Sequence, residues 1–420
     1  MSKIKNIRAR EILASGGNPT IEVEVELESG EVGLASVPYG VSAGSKEAIV
    51  LVDGDMDRYK GKGMLKAVNI VETEIKKVLV GQQAKDQQKI DQIMIDLDGT
   101  ENKSRLGGNS ILAVSLAIAR AGAKEDGLEL YRYLRQVFGI DDQNWRLPQP
   151  MVVMIEGGKH ADQTTDIQEY LVTIKKDQRI RDSLETEMEI YSSLRQVLKR
   201  QGLSINVGNE GAFAPSGIVS NQKPFEYLLE AIEKSGHKVG DEVALSIDAA
   251  ASEFYNHQTG LYELKLEGRS MRADELMGYY LDWVKKYPII TVEDLLDEND
   301  WENWVKLTAK LGQVIHIGDD LTVTNRKLWQ KAIDMKACNG ILIKLNQAGS
   351  LTETVNCCLL AKQKGLITVP SHRGGGETDD SFMVDLAVAM GSAYIKVGPT
   401  RGERVSKYNR LMKIEEDLGR

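Results

Sequence analysis

Cysteine is scarce. Cys338, Cys357 and Cys358 are the only three in 420 residues, an odd number without a metal-type spacing, which excludes a disulfide scaffold. A reducing compartment fits, and a chain of this length buries enough core to fold without staples. Positive charge is in deficit, with 53 Lys and Arg against 62 Asp and Glu giving a formal −9. Nucleic acid and anionic membranes are therefore not expected as partners, and a small molecule is. Long apolar runs are missing as well. The longest, residues 111–119, is interrupted by Ser115 and falls far short of a bilayer span. The first eight residues carry no apolar signal segment, so a cytoplasmic location is expected. No Gly-x-Gly-x-x-Gly follows a strand, since Gly61-Lys-Gly63 sits in a polar stretch without a third glycine, and this argues against an open dinucleotide-binding sheet.

The residues that are present suggest two or three domains, or a barrel with a smaller module. In residues 20–27 apolar Ile21, Val23, Val25 and Leu27 alternate with Glu22, Glu24 and Glu26, and Glu28-Ser-Gly30 turns the chain into residues 31–37. That pattern predicts a half-solvated antiparallel hairpin. Helical periodicity follows over residues 67–134, so the first part reads as an α+β cap over residues 1–142. Residues 145–150 form a stiff linker or a leading strand into a second part, residues 143–420.

In the second part, short β-rich runs alternate with helical ones, and the runs end on ionisable residues: Asp248, Glu293, Asp319, Lys344, His372 and Lys396. From Asp319 onward the separations are 25, 28 and 24 residues, the length of one strand–helix unit. A helix between two of them is punctuated by a Ser350/Glu353 capping box and by Gly365. Six such units predict an α/β fold, a (β/α)8 TIM barrel with its catalytic face at the strands' C-terminal ends. A doubly wound open sheet is the competing reading.

Closing such a barrel brings Asp248, Glu293 and Asp319 together. Three carboxylates without a counter-ion repel, and an all-oxygen donor set selects Mg²⁺ or Mn²⁺ over zinc. Singly, each would read as a solvated loop acid. Lys344 and Lys396, which follow apolar strands, are candidates for a base, because a lysine near a metal can have its pKa lowered; the bland alternative is a snorkelling surface lysine. His372-Arg373 opens the loop Gly374-Gly-Gly-Glu377, whose backbone N–H groups and guanidinium suit an anion such as phosphate. Base, metal and anion clamp together suit proton abstraction beside a carboxylate.

Long motifs then carry a resemblance to the enolases over nearly the whole chain: Arg10-Glu-Ile-Leu-Ala-Ser-Gly-Gly-Asn-Pro-Thr20, Asp96-Leu-Asp-Gly-Thr100, Asn102-Lys-Ser104, Asp319-Asp-Leu-Thr-Val-Thr-Asn325, Lys344-Leu-Asn-Gln347 and Ile414-Glu-Glu-Asp-Leu-Gly419. The resemblance implies an N-terminal α+β cap domain, a modified barrel that starts β-β-α-α, and reversible dehydration of 2-phosphoglycerate to phosphoenolpyruvate with two Mg²⁺ per active site. It implies that Asp248, Glu293 and Asp319 bind the tighter magnesium and that Ser42, in a mobile loop, reaches the second. Lys344 would abstract the carbon-2 proton. Glu210, in Val207-Gly-Asn-Glu-Gly-Ala-Phe-Ala-Pro215, would protonate the departing hydroxyl with Glu169 as its partner, while His160, Gln168, His372, Arg373, Gly374 and Lys396 line the substrate. A homodimer or ring of dimers is implied, with a possible secondary pool at the cell surface.

The chain departs from the family at several of these places. The closing loop is bulkier at Tyr39 and Val41, and the loop after His372 has lost a serine and gained a residue. Asn209 replaces an aspartate, Glu156 an asparagine and Lys159 a serine, while Ala14 and Gly16 alter a segment tied to the dimer contact and Leu295 replaces a proline. Two alternatives follow: a superfamily enzyme acting on another 2-hydroxy acid, and a non-catalytic surface-binding protein.

Overall fold

The computed structural model describes residues 2–40, 46–142, 144–176 and 178–420. The expected hairpin forms from Pro19–Leu27 and Val32–Ser36 in antiparallel register, Glu22 opposite Ser36 and Glu26 opposite Val32. A third strand that the residue pattern does not announce, Ile4–Leu13, pairs along its other edge. Only Ile4 and Ile7 of that strand are fully buried, so its alternation is weak in sequence. Across the pair, Arg10 faces Glu22 and Arg8 faces Glu24 on the wet side, while Ile21, Val23 and Val25 are fully buried. What covers them is the helix Gly108–Glu125, which holds the longest apolar run and is buried nearly all round. A helix apolar on every face belongs inside a protein. Ser115 is buried with it, and its hydroxyl joins the two parts of the chain by accepting from Gln87 Nε2 at 3.0 Å and from the Leu351 amide at 3.2 Å.

The second part is an eight-stranded sheet whose strands, in chain order, are Gln149–Glu156, Glu169–Ile174, Val243–Asp248, Ile289–Glu293, Ile315–Gly318, Gly340–Ile343, Ile367–Pro370 and Tyr394–Val397. We refer to them as the first to eighth barrel strands. Neighbours pair in that order, the eighth also pairs with the first, and a bridge from Ser371 to Lys396 joins seventh to eighth. The α/β barrel is thus closed, and the open-sheet alternative is excluded. The second strand alone runs antiparallel to its neighbours. Two helices, Ile180–Arg200 and Lys223–Lys234, follow it before the third strand, giving the β-β-α-α start. Residues 145–148 lead into the first strand as irregular chain. Inward-facing Met151, Val153, Leu171, Ile317, Leu342 and Val369 fill the barrel axis. The capping box holds: Ser350 Oγ accepts from the Glu353 amide ahead of the helix Leu351–Gln363, and Gly365 follows in a left-handed conformation. No helix among the described residues is long and apolar enough to cross a membrane.

The cap docks beside the mouth of the barrel, on the chain that follows the seventh strand. Arg120 makes a two-pronged pair with Asp380 at 2.5 and 2.7 Å, Asp380 also accepts from the Ser36 amide at 3.0 Å, and the Tyr39 amide donates to Gly376 O at 2.7 Å. Burial pushes the Asp380 carboxyl up, but Arg120 reverses this and holds it below its ordinary value. Removing the guanidinium leaves a buried, unpaired carboxylate. Arg120→Ala is expected to lower stability by about 3 kcal/mol, read as a lower urea midpoint; an unchanged midpoint contradicts this docking role.

Candidate active site

The sheet register assembles the site. Because the second strand runs backwards, Glu169 at its start shares the mouth with the C-terminal ends of the others: Glu156 pairs with Glu169, Glu169 with Asp248, and Asp248 with Glu293. Four carboxylates in adjacent strands would repel. The eighth strand answers with Lys396, whose Nζ lies 2.8 Å from Glu169 and 2.9 Å from both Asp248 and Glu293, all four side chains being nearly fully buried. An ammonium group thus stands among Glu169, Asp248 and Glu293 and offsets part of their repulsion. Burial alone would lower the Lys396 pKa, but Asp248, Glu169 and Glu293 drive it well above its ordinary value. Glu293 is pushed well up by burial and by Asp248 despite the amine.

Asp319, just beyond the fifth strand, pairs with Lys344 Nζ and accepts from Gln347 Nε2 at 2.9 Å. This pairing sets the Lys344 pKa in the protein alone, where the sequence expectation concerned a lysine beside a bound metal. Burial pulls it down, but Asp319 outweighs burial and raises it, so the amine is held as ammonium. Two further acids belong here. The Asp294 carboxylate accepts from the amides of Asp319 at 3.0 Å and Asp320 at 2.7 Å, fixing the turn, and one oxygen of each of Asp294, Asp319 and Asp320 lies within 4.8 Å of the others. Burial, then Asp319, pushes Asp320 up to about 8. The signal for both was in the sequence, as the doublets Glu293-Asp294 and Asp319-Asp320.

On the opposite wall stands Glu210. His160 Nδ1 lies 3.3 Å from both Glu169 and Glu210, and His372 Nε2 lies 3.3 Å from the other Glu210 oxygen. Arg404, fully buried and not singled out from sequence, donates from Nε to His372 Nδ1 at 3.2 Å. That contact assigns the imidazole proton to Nε2, facing Glu210. Burial pushes the Glu210 carboxyl up, yet His372, His160 and Arg404 more than reverse it, leaving it well below the usual range. Burial would discharge His160, but Glu210 and Glu169 raise it to about 9. The resting state is therefore an anionic Glu210 beside a charged His160. Gly374 completes this wall: a Cβ there would stand 2.6 Å from His160 Nε2 and 2.8 Å from Glu210 Oε1.

These walls enclose a cavity of about 490 Å³ lined by nine acidic side chains and four lysines or arginines. Lys344, Glu210, Glu169, His160, Gln168, His372, Arg373, Gly374, Lys396, Asp248 and Asp319 all line it; Glu293 lies behind Lys396, and Ser42 lies outside the described residues. Gln168 Nε2 donates to Asp248 at 3.4 Å, and Arg373 Nη1 lies 3.6 Å from Glu47. Glu377 turns away from the cavity to accept the Arg373 and Thr378 amides. The donor set fits a hard divalent cation: Asp248, Glu293 and Asp319 offer only oxygen, and Glu293 Oε1 is buried without a hydrogen-bond partner. Lys396→Met should leave three buried carboxylates uncompensated and lower stability by about 3 kcal/mol in EDTA at pH 7.5, measured by urea unfolding. The loss should shrink toward pH 5: carboxyls with raised pKa take up protons in the folded state, so stability returns as pH falls. An equal loss at both pH values contradicts the arrangement.

Comparison with known families matches both parts of the chain. Residues 4–134 match the family model described as enolase, N-terminal domain, and residues 144–420 the one described as enolase, C-terminal TIM barrel domain. Taken with the closed barrel and its reversed second strand, these matches show that the chain belongs to the enolase family.

Proposed function

We propose that the protein catalyses the Mg²⁺-dependent, reversible dehydration of 2-phosphoglycerate to phosphoenolpyruvate, a step of glycolysis and gluconeogenesis. The observation that carries this reading is that Lys344 and Glu210 face one cavity from opposite walls with a carboxylate cluster beside them. Lys344 Nζ removes the proton from carbon 2. The electron pair left behind forms the carbon 2–carbon 3 double bond as the carbon 3–oxygen bond breaks, and a proton from Glu210 completes the water that departs. Asp248, Glu293 and Asp319 would hold one of the divalent cations, which would supply the positive charge that an enolate needs, and an Asp319 engaged in that way would no longer pair with the Lys344 amine. Glu169 and His160 hold Glu210 in place, and His372, Arg373, Lys396, Gln168 and the Gly374 backbone supply contacts to the substrate's charged groups.

The acid balance of the lining supports the cation requirement, because an anionic substrate entering nine carboxyls against four lysines and arginines needs added positive charge. In the same reading, residues 1–142 serve as cap and residues 143–420 as catalytic barrel, the chain assembles as a homodimer or ring of dimers, and the enzyme works in the cytoplasm. One observation favours the alternative of another 2-hydroxy acid: the Arg373 guanidinium is already met by Glu47 at 3.6 Å, in a loop that has lost its serine. The same assay separates the two.

Absorbance at the phosphoenolpyruvate band should rise on adding 2-phosphoglycerate with Mg²⁺ and stay flat in EDTA. Background turnover by folded protein rejects this substrate. Lys344→Ala should slow exchange of the carbon-2 proton by at least about 10³-fold while Mg²⁺ still binds by calorimetry. Exchange persisting at the parent rate removes Lys344 as the base.

A further inference from the structure

Glu156 ends the first barrel strand and is fully buried, and its carboxylate is met by backbone amides. Oε1 accepts from the Glu210 amide at 3.2 Å and the Ala212 amide at 3.0 Å, and Oε2 accepts from the Glu210 amide at 3.1 Å. The loop carrying Glu210 lies flat on this carboxyl. A Cβ on Gly208 would come within 2.4 Å of Glu156 Cδ, so glycine is what permits the approach. One ligand atom each from Glu156, His160 and Glu210 lies within 4.8 Å of the other two. Two buried carboxyls this close, sharing one imidazolium, do not both ionise at neutral pH; such a pair titrates as a unit that keeps a proton. Asn209, immediately before Glu210, contributes no charge.

We propose that Glu156 is the positioning residue for the acid of the dehydration: it seats the Glu210 backbone and, as the second carboxyl of the pair, keeps within reach of Glu210 the proton destined for the leaving hydroxyl. This rests on the dehydration reading above. Asn209 gives Glu210 no negative neighbour, and Glu156 supplies one from the first strand. The groups facing Glu156 are Glu210, His160, Glu169 and, from the helix Ile180–Arg200, Tyr191; those facing Glu210 are His160, His372, Arg404 and Tyr408. In this setting burial, and then Glu210, push Glu156 up to about 8. The pair therefore keeps its proton as a unit, with Glu210 drawn toward the anionic form by its imidazoles, and the proton is available to Glu210 once the substrate's own charges engage His160 and His372.

The test is the pH dependence of kcat/KM for phosphoenolpyruvate formation in the parent, E156Q, E156N and E156N/N209D, with carbon-2 proton exchange measured on the same proteins. Removing the negative neighbour weakens the pair's hold on its proton, so the alkaline limb of E156Q should move toward acid by at least about one pH unit. Exchange at carbon 2 should stay within a few-fold of the parent, and N209D should bring the limb of E156N back. An unmoved limb in E156Q, equal losses in exchange and turnover, or a double variant no better than E156N would each overturn the proposal. Carboxyl-carbon NMR of the unmutated protein tests it without turnover. One protonated carboxyl between Glu156 and Glu210 at pH 7 supports it, and two ionised ones overturn it. A parent that does not dehydrate 2-phosphoglycerate would fail the dehydration reading, while the titration would still report on the pair.

Discussion

Charge is divided across the mouth of this barrel, and the rest of the site depends on that division. The first five strands bring acids to the mouth, Glu156, Glu169, Asp248, the Glu293-Asp294 doublet and the Asp319-Asp320 doublet, while the last three bring Lys344, His372-Arg373 and Lys396. Neither half is tenable alone. Burial of adjacent like charges raises the energy of both, and in a low dielectric the attraction across the mouth is correspondingly strong. Each amine is therefore captured: Lys396 by three carboxylates, Lys344 by Asp319. The closed sheet holds these groups in place because register fixes which side chain stands beside which.

Reversal of the second strand is part of this arrangement. Parallel strands present their C-terminal residues at the mouth, so an acid at the start of a strand would ordinarily lie at the far end of the barrel. With that strand inverted, Glu169 stands between Glu156 and Asp248 and gives Lys396 its third carboxylate. The cap adds a second constraint. Some of its contacts fall on Gly376, Thr378 and Asp380, a few residues after His372 and Arg373, and others on residues 347–353, after Lys344.

Much of this was legible in the sequence, for physical reasons that differ by element. Strict alternation exposed the cap hairpin, and six strands ending on ionisable residues exposed the barrel, because both features repeat. The strand Ile4–Leu13 was not legible, since one face packs only at Ile4 and Ile7 and the rest is wet. Residue pattern alone offered no route to Glu169, whose place follows from a strand direction that period-two alternation does not encode; the family motifs supplied it. Asp294 and Arg404 were passed over, and Glu156 was noted only as a departure from the family, because each acts on a backbone amide or on another side chain, and such contacts exist only after closure.

Ion pairing is also why the direction of the Lys344 pKa was not readable from sequence. A buried lysine alone loses its proton more readily, whereas one against Asp319 keeps it, and the two cases differ only in where a neighbouring loop lies. The same logic runs through the opposite wall. With His160 charged and Glu210 anionic, the resting site has the protonation states of a salt bridge, which is the opposite of what a base on one wall and an acid on the other require. Both inversions come from partners inside the cavity, and both are relieved by charge arriving there: positive charge at Asp319, negative charge at the imidazoles. In the dehydration proposed above, a site poised in this way would favour chemistry only when cation and anionic substrate are both in place, so that its division of charge would serve as a gate on the reaction as well as a scaffold for it.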